Sequence, residues 1–468
     1  MKLRTYLLNI VVGLTIIPGC KKLVEVDPPV SQLVTSNVFD NDNTVTAAQL
    51  SIYAQMQNVP LLFHRVTALS SDEFKNYATD ITSKDLYANA LNATTDAGAI
   101  NVWSRAYNFI YQVNAILEGI QGNNNISKKV RQQTAGEAEF VRAYWYFYLV
   151  NLYGDVPLIT STSYTENSVK ARTAKADVYK QIVLDLKKAQ NDLSPIFLDA
   201  TDTVGTDERI RPTTWAATAL LARTYLYLGQ YDSAIENSSK VINHTELFNL
   251  PTDLTQVFLA NSPEAIWQIT PASSDHYTPE GANFILNTPP KTGTGNSAEI
   301  SSQLMNAFEA NDQRKANWIQ SFTKGTNTWY FPYKYRANKT STTLTEYTMV
   351  LRLAEQYLIR AEAYAQLDKN DNAVNDLNAI RNRALLGPYQ GLTDKASLLT
   401  AIAHERQVEL FTEGDRWFNL KRTGTIDLVM DSVTQSKGGQ WNTYQQLYPI
   451  PVGDIQKNDN IKQNTGYF

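Results

Sequence analysis

The chain of 468 residues contains only one cysteine and four histidines. A single cysteine cannot form a disulfide within the chain, so the burial of apolar side chains must stabilise the fold. Lys and Arg number 42 against 46 Asp and Glu, and this slight acidity argues against a nucleic-acid partner. After residue 20 no apolar run reaches the roughly 20 residues of a membrane-spanning helix. The sequence therefore predicts a body that lies outside the membrane.

Signatures of catalysis are missing as well. His404-Glu405 lacks the second histidine of a zinc-protease helix, because residue 408 is Val. Neither the phosphate-binding pattern GxxxxGK(S/T) nor the nucleophile turn GxSxG occurs. We therefore expect no catalytic residue, no metal site and no cofactor.

Three acidic residues recur at four-residue intervals in one predicted helix, Glu405, Glu409 and Glu413. Carboxylates on one helix face can serve as acid and base, but arginines lie nearby in the sequence. An ion-pair network is therefore the preferred interpretation. Its expected cations are the neighbouring Arg406, Arg416 and Arg422.

The N-terminus resembles the export signal of a bacterial lipoprotein. Lys2 and Arg4 precede an apolar run that ends at Cys20. Such a cysteine is acylated on its thiol and becomes the new N-terminus, so residues 1–19 are predicted to be removed. The alternative is an ordinary secretory signal with a chance cysteine. Residues 20–45 contain Pro28-Pro29 and lack helical periodicity, so they are predicted to form an extended, lipidated tether.

Helical periodicity dominates the remainder. Apolar spacing predicts helices over Thr46–Asn58, Ala99–Gly119 and 134–153. The last of these is aromatic on every side between residues 144 and 148, which indicates a buried helix ending at Gly154. Two helix pairs, Trp215–Ile242 and Met349–Arg383, carry small and aromatic residues at tetratricopeptide-repeat spacing.

The two helix pairs are separated by an insertion of different composition, about residues 244–345, rich in Thr, Asn, Ser, Gly and Pro. It contains strand-like runs at Ala265–Ile269 and Trp329–Tyr335, and residues 60–98 form another loop-like stretch. We predict a mostly α fold: a tetratricopeptide-like scaffold of helix pairs with a large loop-rich insertion containing short β-strands. Residues 46–468 are expected to form a single domain.

Several segments together resemble one family, the SusD/RagB-like outer-membrane lipoproteins. The resemblance is carried by GEAEFVRAYWYFYLVNLYGDVPLI (136–159), AEAYAQL (361–367), HERQVELFTEGDRWFNLKRTG (404–424), LYPIPVGDIQKNDNIKQNTGY (447–467) and the helix pair that follows Arg211-Pro212-Thr213. The order is that of the family from the lipid signal to the C-terminus. Thr465 stands where the family usually has Pro.

The resemblance implies a surface-exposed protein anchored to a Gram-negative outer membrane by lipid alone. Such proteins cover a SusC-like TonB-dependent transporter and capture oligosaccharides for import without cleaving them. Two alternatives remain open. The first is a binding protein for peptide or another non-carbohydrate nutrient on the same scaffold. The second is a tetratricopeptide-type adaptor, which would present an open helical groove to another protein.

Glycan binding needs flat aromatic faces against sugar rings and polar side chains for the hydroxyls. Aromatics on loops are the natural candidates, because aromatics at helical core spacing are expected to be buried. In the strand-like run, Trp329, Phe331, Tyr333 and Tyr335 alternate as one half-buried face would, so Tyr330 points the other way and is predicted to be the exposed side chain. Family resemblance adds the acidic pair Asp72-Glu73. The candidate ligand-binding residues are Asp72, Glu73, Tyr77, Tyr87, Trp103, Tyr277, Phe284, Trp329 and Tyr330.

Overall fold

The computed structural model describes residues 35–94, 97–272, 274–293 and 295–467. The predicted signal, Cys20 and most of the tether lie outside the described residues. The described chain is mainly helical, with a few short strands. Its helices are α1 (Thr35–Val38), α2 (Asp42–Gln55), α3 (Val59–Ser70), α4 (Ile81–Tyr87), α5 (Ala97–Ile120), α6 (Lys128–Tyr153), α7 (Tyr164–Asn167), α8 (Lys175–Asp192), α9 (Thr214–Tyr227), α10 (Tyr231–Ile242), α11 (Pro279–Phe284), α12 (Ser302–Ala307), α13 (Gln313–Trp318), α14 (Leu353–Gln366), α15 (Asn370–Arg383), α16 (Lys395–Glu409), α17 (Arg416–Arg422), α18 (Ile426–Ser436) and α19 (Val452–Lys457).

The strands form antiparallel pairs, and each pair has two strands. They are β1 (Phe74–Asn76) with β3 (Ala298–Ile300), β2 (Ala265–Ile269) with β6 (Thr348–Arg352), and β4 (Ile319–Lys324) with β5 (Asn327–Pro332). The predicted strand Ala265–Ile269 is therefore confirmed. The run predicted at Trp329–Tyr335 starts two residues earlier and ends at Pro332.

The end of the predicted tether is helical rather than extended. Asn41 begins α2 because its side-chain oxygen accepts the backbone N–H of Thr44 at 3.1 Å. The Thr44 hydroxyl in turn accepts the backbone N–H of Asn41 at 3.3 Å, completing a capping box. The helical body thus begins before residue 46, and prediction from apolar spacing missed this cap.

The helices stack in an order that explains the separated repeat. Helix α6 packs on α8, α8 on α9, and α9 on α10. Helix α10 then packs on α14, although about a hundred residues of chain separate them. Buried alanines, such as Ala234 and Ala373, allow neighbouring helices to approach closely. The predicted scaffold of helix pairs with an intervening insertion is therefore confirmed.

Helix α6 forms the centre of the core. Every residue from Gly136 to Tyr153 is buried, as the aromatic run predicts. Trp145 stacks on Phe109 with ring centroids 4.9 Å apart, and Tyr148 stacks on Phe63 at 4.0 Å. None of the helices within the described ranges is long and apolar enough to cross a membrane.

The stretch 60–98 is more ordered than its loop-like appearance suggests. It contains α3, β1 and α4. Pro60 occupies the first turn of α3, where its missing N–H costs no helical hydrogen bond. Phe63, Val66 and Leu69 are buried at helical spacing behind it. The expected loop is therefore wrong for much of this stretch.

Trp145→Ala is expected to lower the free energy of unfolding by about 3–5 kcal/mol, because it removes a fully buried indole from the centre of the core. Urea unfolding followed by circular dichroism measures this change. Tyr164→Ala is the matched control, since the Tyr164 ring is 81% exposed and its loss should change stability by less than about 0.5 kcal/mol. Equal losses for the two variants would contradict the position of α6 in the core.

Candidate functional site

A surface of charged and aromatic side chains lies on the β1–β3 pair. The register places Phe74 opposite Ile300 and Lys75 opposite Glu299. Because side chains alternate between the two faces of a strand, Phe74 and Ile300 enter the core while Lys75 and Glu299 lie on the opposite face. On that face the Glu299 side chain is largely covered, with 12% of it exposed. The insertion therefore supplies a carboxylate directly opposite a lysine from the N-terminal half of the chain.

Tyr77 follows β1 and joins this cross-strand pair. Its hydroxyl donates to Glu299 Oε1 at 2.7 Å, and Lys75 Nζ lies 3.0 Å from the same oxygen. Lys75 Nζ also lies 5.1 Å from the centroid of the Tyr77 ring. Hydrogen bonding to Tyr77 and Glu299 raises the pKa of Lys75, so the lysine is charged at neutral pH.

Tyr87 at the end of α4 completes the group. Helix α4 contacts β1, which brings Tyr87 to this side of the strand pair, and burial raises the pKa of the Tyr87 hydroxyl. Lys437 Nζ lies 4.9 Å from the centroid of the Tyr87 ring. We call Lys75, Tyr77, Tyr87 and Glu299 the tyrosine surface.

Lys437 links Tyr87 to the backbone at the end of α3. Its ammonium group donates to the carbonyl of Leu69 at 2.8 Å and to the carbonyl of Ser71. Burial lowers the pKa of Lys437 to about 7. The lysine thereby joins α18 to the end of α3 and holds the α3–β1 connection beneath the Tyr87 ring.

The chemistry of the tyrosine surface suits a polar ligand with apolar faces. Both tyrosine rings are half-buried, and the Lys75 side chain is 55% exposed. The rings offer apolar contact, while Lys75 donates and Glu299 accepts hydrogen bonds. A ligand with ring C–H faces and several hydroxyl groups matches this set of side chains.

The second group of aromatic candidates lies on a neighbouring hairpin. Strand β5 lies beside β3, and Tyr330 in β5 is 41% exposed, in agreement with the alternation in the sequence. Trp329 is half-buried, and its ring stacks on Phe322 across the β4–β5 pair with centroids 6.3 Å apart. Tyr330 thus remains available to a ligand, whereas one face of Trp329 is covered.

Asp72 and Glu73 are buried and serve the fold instead of the surface. Asp72 accepts two hydrogen bonds from Arg416, at 2.9 and 2.7 Å. Glu73 Oε1 accepts the backbone N–H of Thr412 at 3.0 Å, and within the described ranges Glu73 Oε2 has no hydrogen-bond partner. The structure therefore contradicts their selection as ligand contacts. The sequence could not reveal this, because their partners lie more than 330 residues away.

Trp103 and Phe284 are core residues as well. The Trp103 ring lies 4.9 Å from that of Tyr107 and 5.0 Å from that of Tyr153, and only 3% of Trp103 is exposed. Phe284 packs edge-on against Phe74 beneath the β1–β3 pair, at 5.3 Å. Neither ring can present a face to a ligand, so both selections were wrong. Tyr277 is half-buried at the start of α11 and is not joined to the tyrosine surface by any described contact.

The three carboxylates form a buried ion-pair network, but Glu413 lies beyond the end of α16 and the cations differ from those expected. Glu409 pairs with Arg314, Arg352 and Arg383, which come from the insertion, β6 and α15. The arginines expected from sequence proximity pair elsewhere: Arg406 with Asp415, Arg416 with Asp72 and Arg422 with Glu362. These carboxylates therefore stabilise the fold and do not face a substrate cleft.

One group of side chains within the described residues has the composition of a metal site, namely Glu309, His404 and Glu405. Arg381 already pairs with Glu309 and lies 3.4 Å from Glu405. His404 Nε2 is hydrogen-bonded to the carbonyl of Ala307 at 2.7 Å. Because Arg381 contacts both carboxylates and Arg314 also pairs with Glu405, this arrangement resembles an ion-pair network more than a cation site.

Two family models match the chain. The model of the SusD family matches residues 314–467, and a model described as starch-binding and associating with the outer membrane matches residues 22–226. The chain is thus SusD-like in both its N-terminal and its C-terminal part. The SusD-like protein P25 of Formosa agariphila is 24% identical to it over 96% of this chain and 97% of the relative.

Solved structures of SusD proteins share the fold. A SusD superfamily protein from Bacteroides vulgatus superposes with a TM-score of 0.78 and 21% identity, covering 92% of this chain and all (100%) of that one. A laminarin-binding SusD-like protein superposes with a TM-score of 0.73 and 24% identity, also covering 92% of this chain and 100% of the other. These likenesses confirm the tetratricopeptide-like helical fold.

In this SusD-like chain, the sequence predicted Tyr77 and Tyr87 as ligand contacts, and the structure adds Lys75 and Glu299 beside Tyr77. Lys75 and Tyr77 flank Asn76 in alternation, which was the available signal for a strand with one polar face. Glu299 carried no such signal, because its role depends on pairing with a strand more than 220 residues earlier. It also lies between the two ranges that the family models match.

Glu73→Gln is expected to weaken the pH dependence of stability. Burial raises the pKa of Glu73 to about 8, against about 4.3 for an unfolded chain. Between these values the folded state holds a proton that the unfolded state releases, so stability falls as the pH rises from about 4.3 to about 8. The amide oxygen of the introduced glutamine would still accept the backbone N–H of Thr412. Because the amide does not titrate, the variant would not lose stability in this way as the pH rises. The variant should therefore gain stability relative to wild type as the pH rises from 5 to 8.

Urea unfolding at pH 5, 6.5 and 8 measures this difference. Glu236→Gln, which changes an exposed carboxylate on α10, is the control and should follow the wild-type pH profile. A difference between Glu73→Gln and wild type that stays constant with pH would contradict the account.

Proposed function

We propose that this protein is a surface-exposed lipoprotein that captures oligosaccharides on the tyrosine surface. It then delivers them to a SusC-like TonB-dependent transporter in the outer membrane. It binds the glycan and does not cleave it. The observation that carries the proposal is the grouping of Tyr77 with the exposed Lys75 and the largely covered Glu299 on the β1–β3 pair, with Tyr87 on the adjoining α4.

The physical match is with a sugar ring. A pyranose has apolar C–H faces that pack on aromatic rings, and equatorial hydroxyls that hydrogen-bond at its rim. Tyr77 and Tyr87 provide the rings, while Lys75 and Glu299 provide a donor and an acceptor beside them. Tyr330, on the strand beside β3, is placed to extend the same surface for a longer chain.

The comparisons support this choice of ligand and location. One matching model is described as starch-binding and outer-membrane-associated, and one solved neighbour is described as laminarin-binding. The transporter as partner rests on membership of the family. Lipidation at Cys20 would hold the protein at the membrane while the helical body stays outside it.

Tyr77→Ala and Tyr87→Ala should each weaken glycan binding about tenfold, because each removes an aromatic face worth about 1 kcal/mol or more in contact energy. Calorimetry on protein that begins after Cys20 measures the affinity. The panel should include oligosaccharides of laminarin and of starch, together with other plant, host and microbial glycans.

Two control variants sharpen the test. Tyr77→Phe keeps the ring and loses only the hydroxyl bonded to Glu299, so it should retain most of the affinity. Tyr164→Ala removes an exposed aromatic from α7 and should bind as wild type does. Glycan binding that survives both alanine substitutions at wild-type strength would place the site elsewhere. If the folded protein binds no glycan of the panel, glycan capture itself is contradicted.

Cys20→Ser should release the protein from the outer-membrane fraction, since serine offers no thiol for acylation. Labelling with radioactive palmitate and fractionation of the cells measure the change. Lys21→Gln, at the adjacent position, should keep both the label and the membrane association. Membrane retention of unlabelled Cys20→Ser protein would contradict lipid anchoring at this residue.

A further inference from the structure

A cavity of about 720 Å³ lies in another part of the structure. None of its lining residues belongs to the tyrosine surface. It opens between the end of α6, the start of α8, the end of α17 and the C-terminal segment around residues 443–446 and 463–465. Its volume falls within the range of pockets that bind small organic ligands. Its most unusual feature is its charge.

Three cationic side chains line the cavity without an ion-pair partner in the described part of the chain: Arg172, Lys175 and Lys421. Arg172 donates to the carbonyl of Asp155 at 2.7 Å and to Asn464 Oδ1 at 2.5 Å. Further Arg172 bonds reach the carbonyls of Lys462 and Tyr153, so its partners are all uncharged groups. By contrast, the buried Arg211 and Arg352 pair with carboxylates.

Lys421 and Lys175 repel each other across this space. Lys421 donates to the carbonyl of Asn151, and its pKa lies well below the usual range because of burial and the nearby charge of Lys175. The pKa of Lys175 is lowered too, because its ammonium end is partly desolvated, an effect only partly offset by Asp155. Asp155 is the one carboxylate among the lining residues, and its Oδ1 accepts the backbone N–H of Lys175 at 2.8 Å.

Positive charges that face a common cavity and lack carboxylate partners are stabilised by a bound anion. The cavity is too large for a single inorganic oxyanion, and its remaining lining has a different character. Tyr227 and Tyr444 contribute aromatic rings, and Asn151, Gln446 and Gln463 contribute amides. Tyr444 is 37% exposed, so a ligand can reach its ring.

We propose that this cavity binds an acidic sugar unit, with the carboxylate or sulfate group of the sugar held by Arg172, Lys175 and Lys421. The tyrosines and amides contact the sugar ring and its hydroxyls. This second site is independent of glycan binding at the tyrosine surface. It gives the protein a means of selecting charged glycans, or of holding a charged branch of a longer chain.

Calorimetry with a trimer of galacturonic acid, a neutral glucose trimer and sodium sulfate tests the proposal. The acidic trimer should bind to the wild-type protein, with an affinity that falls as salt is added. Lys175→Gln should weaken this binding about tenfold or more, because it removes a charge-assisted hydrogen bond. Lys180→Gln changes another exposed lysine of the same helix, outside the cavity, and should leave the affinity unchanged.

Lys421→Gln should also weaken binding of the acidic trimer. The thermal unfolding of this variant must be recorded, because Lys421 also donates a hydrogen bond to the carbonyl of Asn151. Lys175 is exposed at the start of α8, so Lys175→Gln tests the site even if Lys421→Gln unfolds. Tyr77→Ala should bind the acidic trimer as wild type does, which separates the two sites. Equal binding to Lys175→Gln and Lys180→Gln, or no binding to either, would overturn the proposal. Sulfate that binds as tightly as the trimer and displaces it would refute recognition of the sugar.

Discussion

The arrangement of this protein depends on the ion pairs made by the buried carboxylate of Glu409. It lies in ion-pair contact with Arg314, Arg352 and Arg383, which belong to the insertion, to β6 and to α15. Burial alone would raise the pKa of Glu409, but the three guanidinium groups outweigh that effect and hold the pKa well below its usual range. Because the arginines come from three separate elements, one carboxylate fixes the insertion against the helical scaffold.

The chain segment that contains Glu409 also positions the candidate site. Just after α16, the backbone N–H of Thr412 binds Glu73, and Arg416 pairs with Asp72. These contacts fix the residues that lead directly into β1. The insertion, fixed by Glu409, supplies Glu299 from the opposite strand. The two halves of the tyrosine surface are therefore attached to one short segment, which explains how residues far apart in the sequence form a single group.

The sequence revealed the local features of the fold more fully than its long-range contacts. Helical spacing predicted α5 and the pair α9–α10 within a few residues, because periodic burial is visible in neighbouring positions. Tyr77 and Tyr87 could be proposed from the sequence because aromatics outside the core pattern stand out. Glu73 was misread as a ligand contact, since burial by a distant segment leaves no local trace. The partners of Glu409 were missed for the same reason, because arginines near in sequence are not the nearest in space.

The most direct test of the account is a crystal structure of the protein with the oligosaccharide that calorimetry finds to bind most tightly. We predict a sugar ring packed on Tyr77 or Tyr87, with hydroxyl groups hydrogen-bonded to Lys75 or Glu299. An uncharged oligosaccharide bound elsewhere, with the tyrosine surface empty, would contradict the central claim. In that case the Lys75, Tyr77 and Glu299 contacts would serve only to hold β1 against β3.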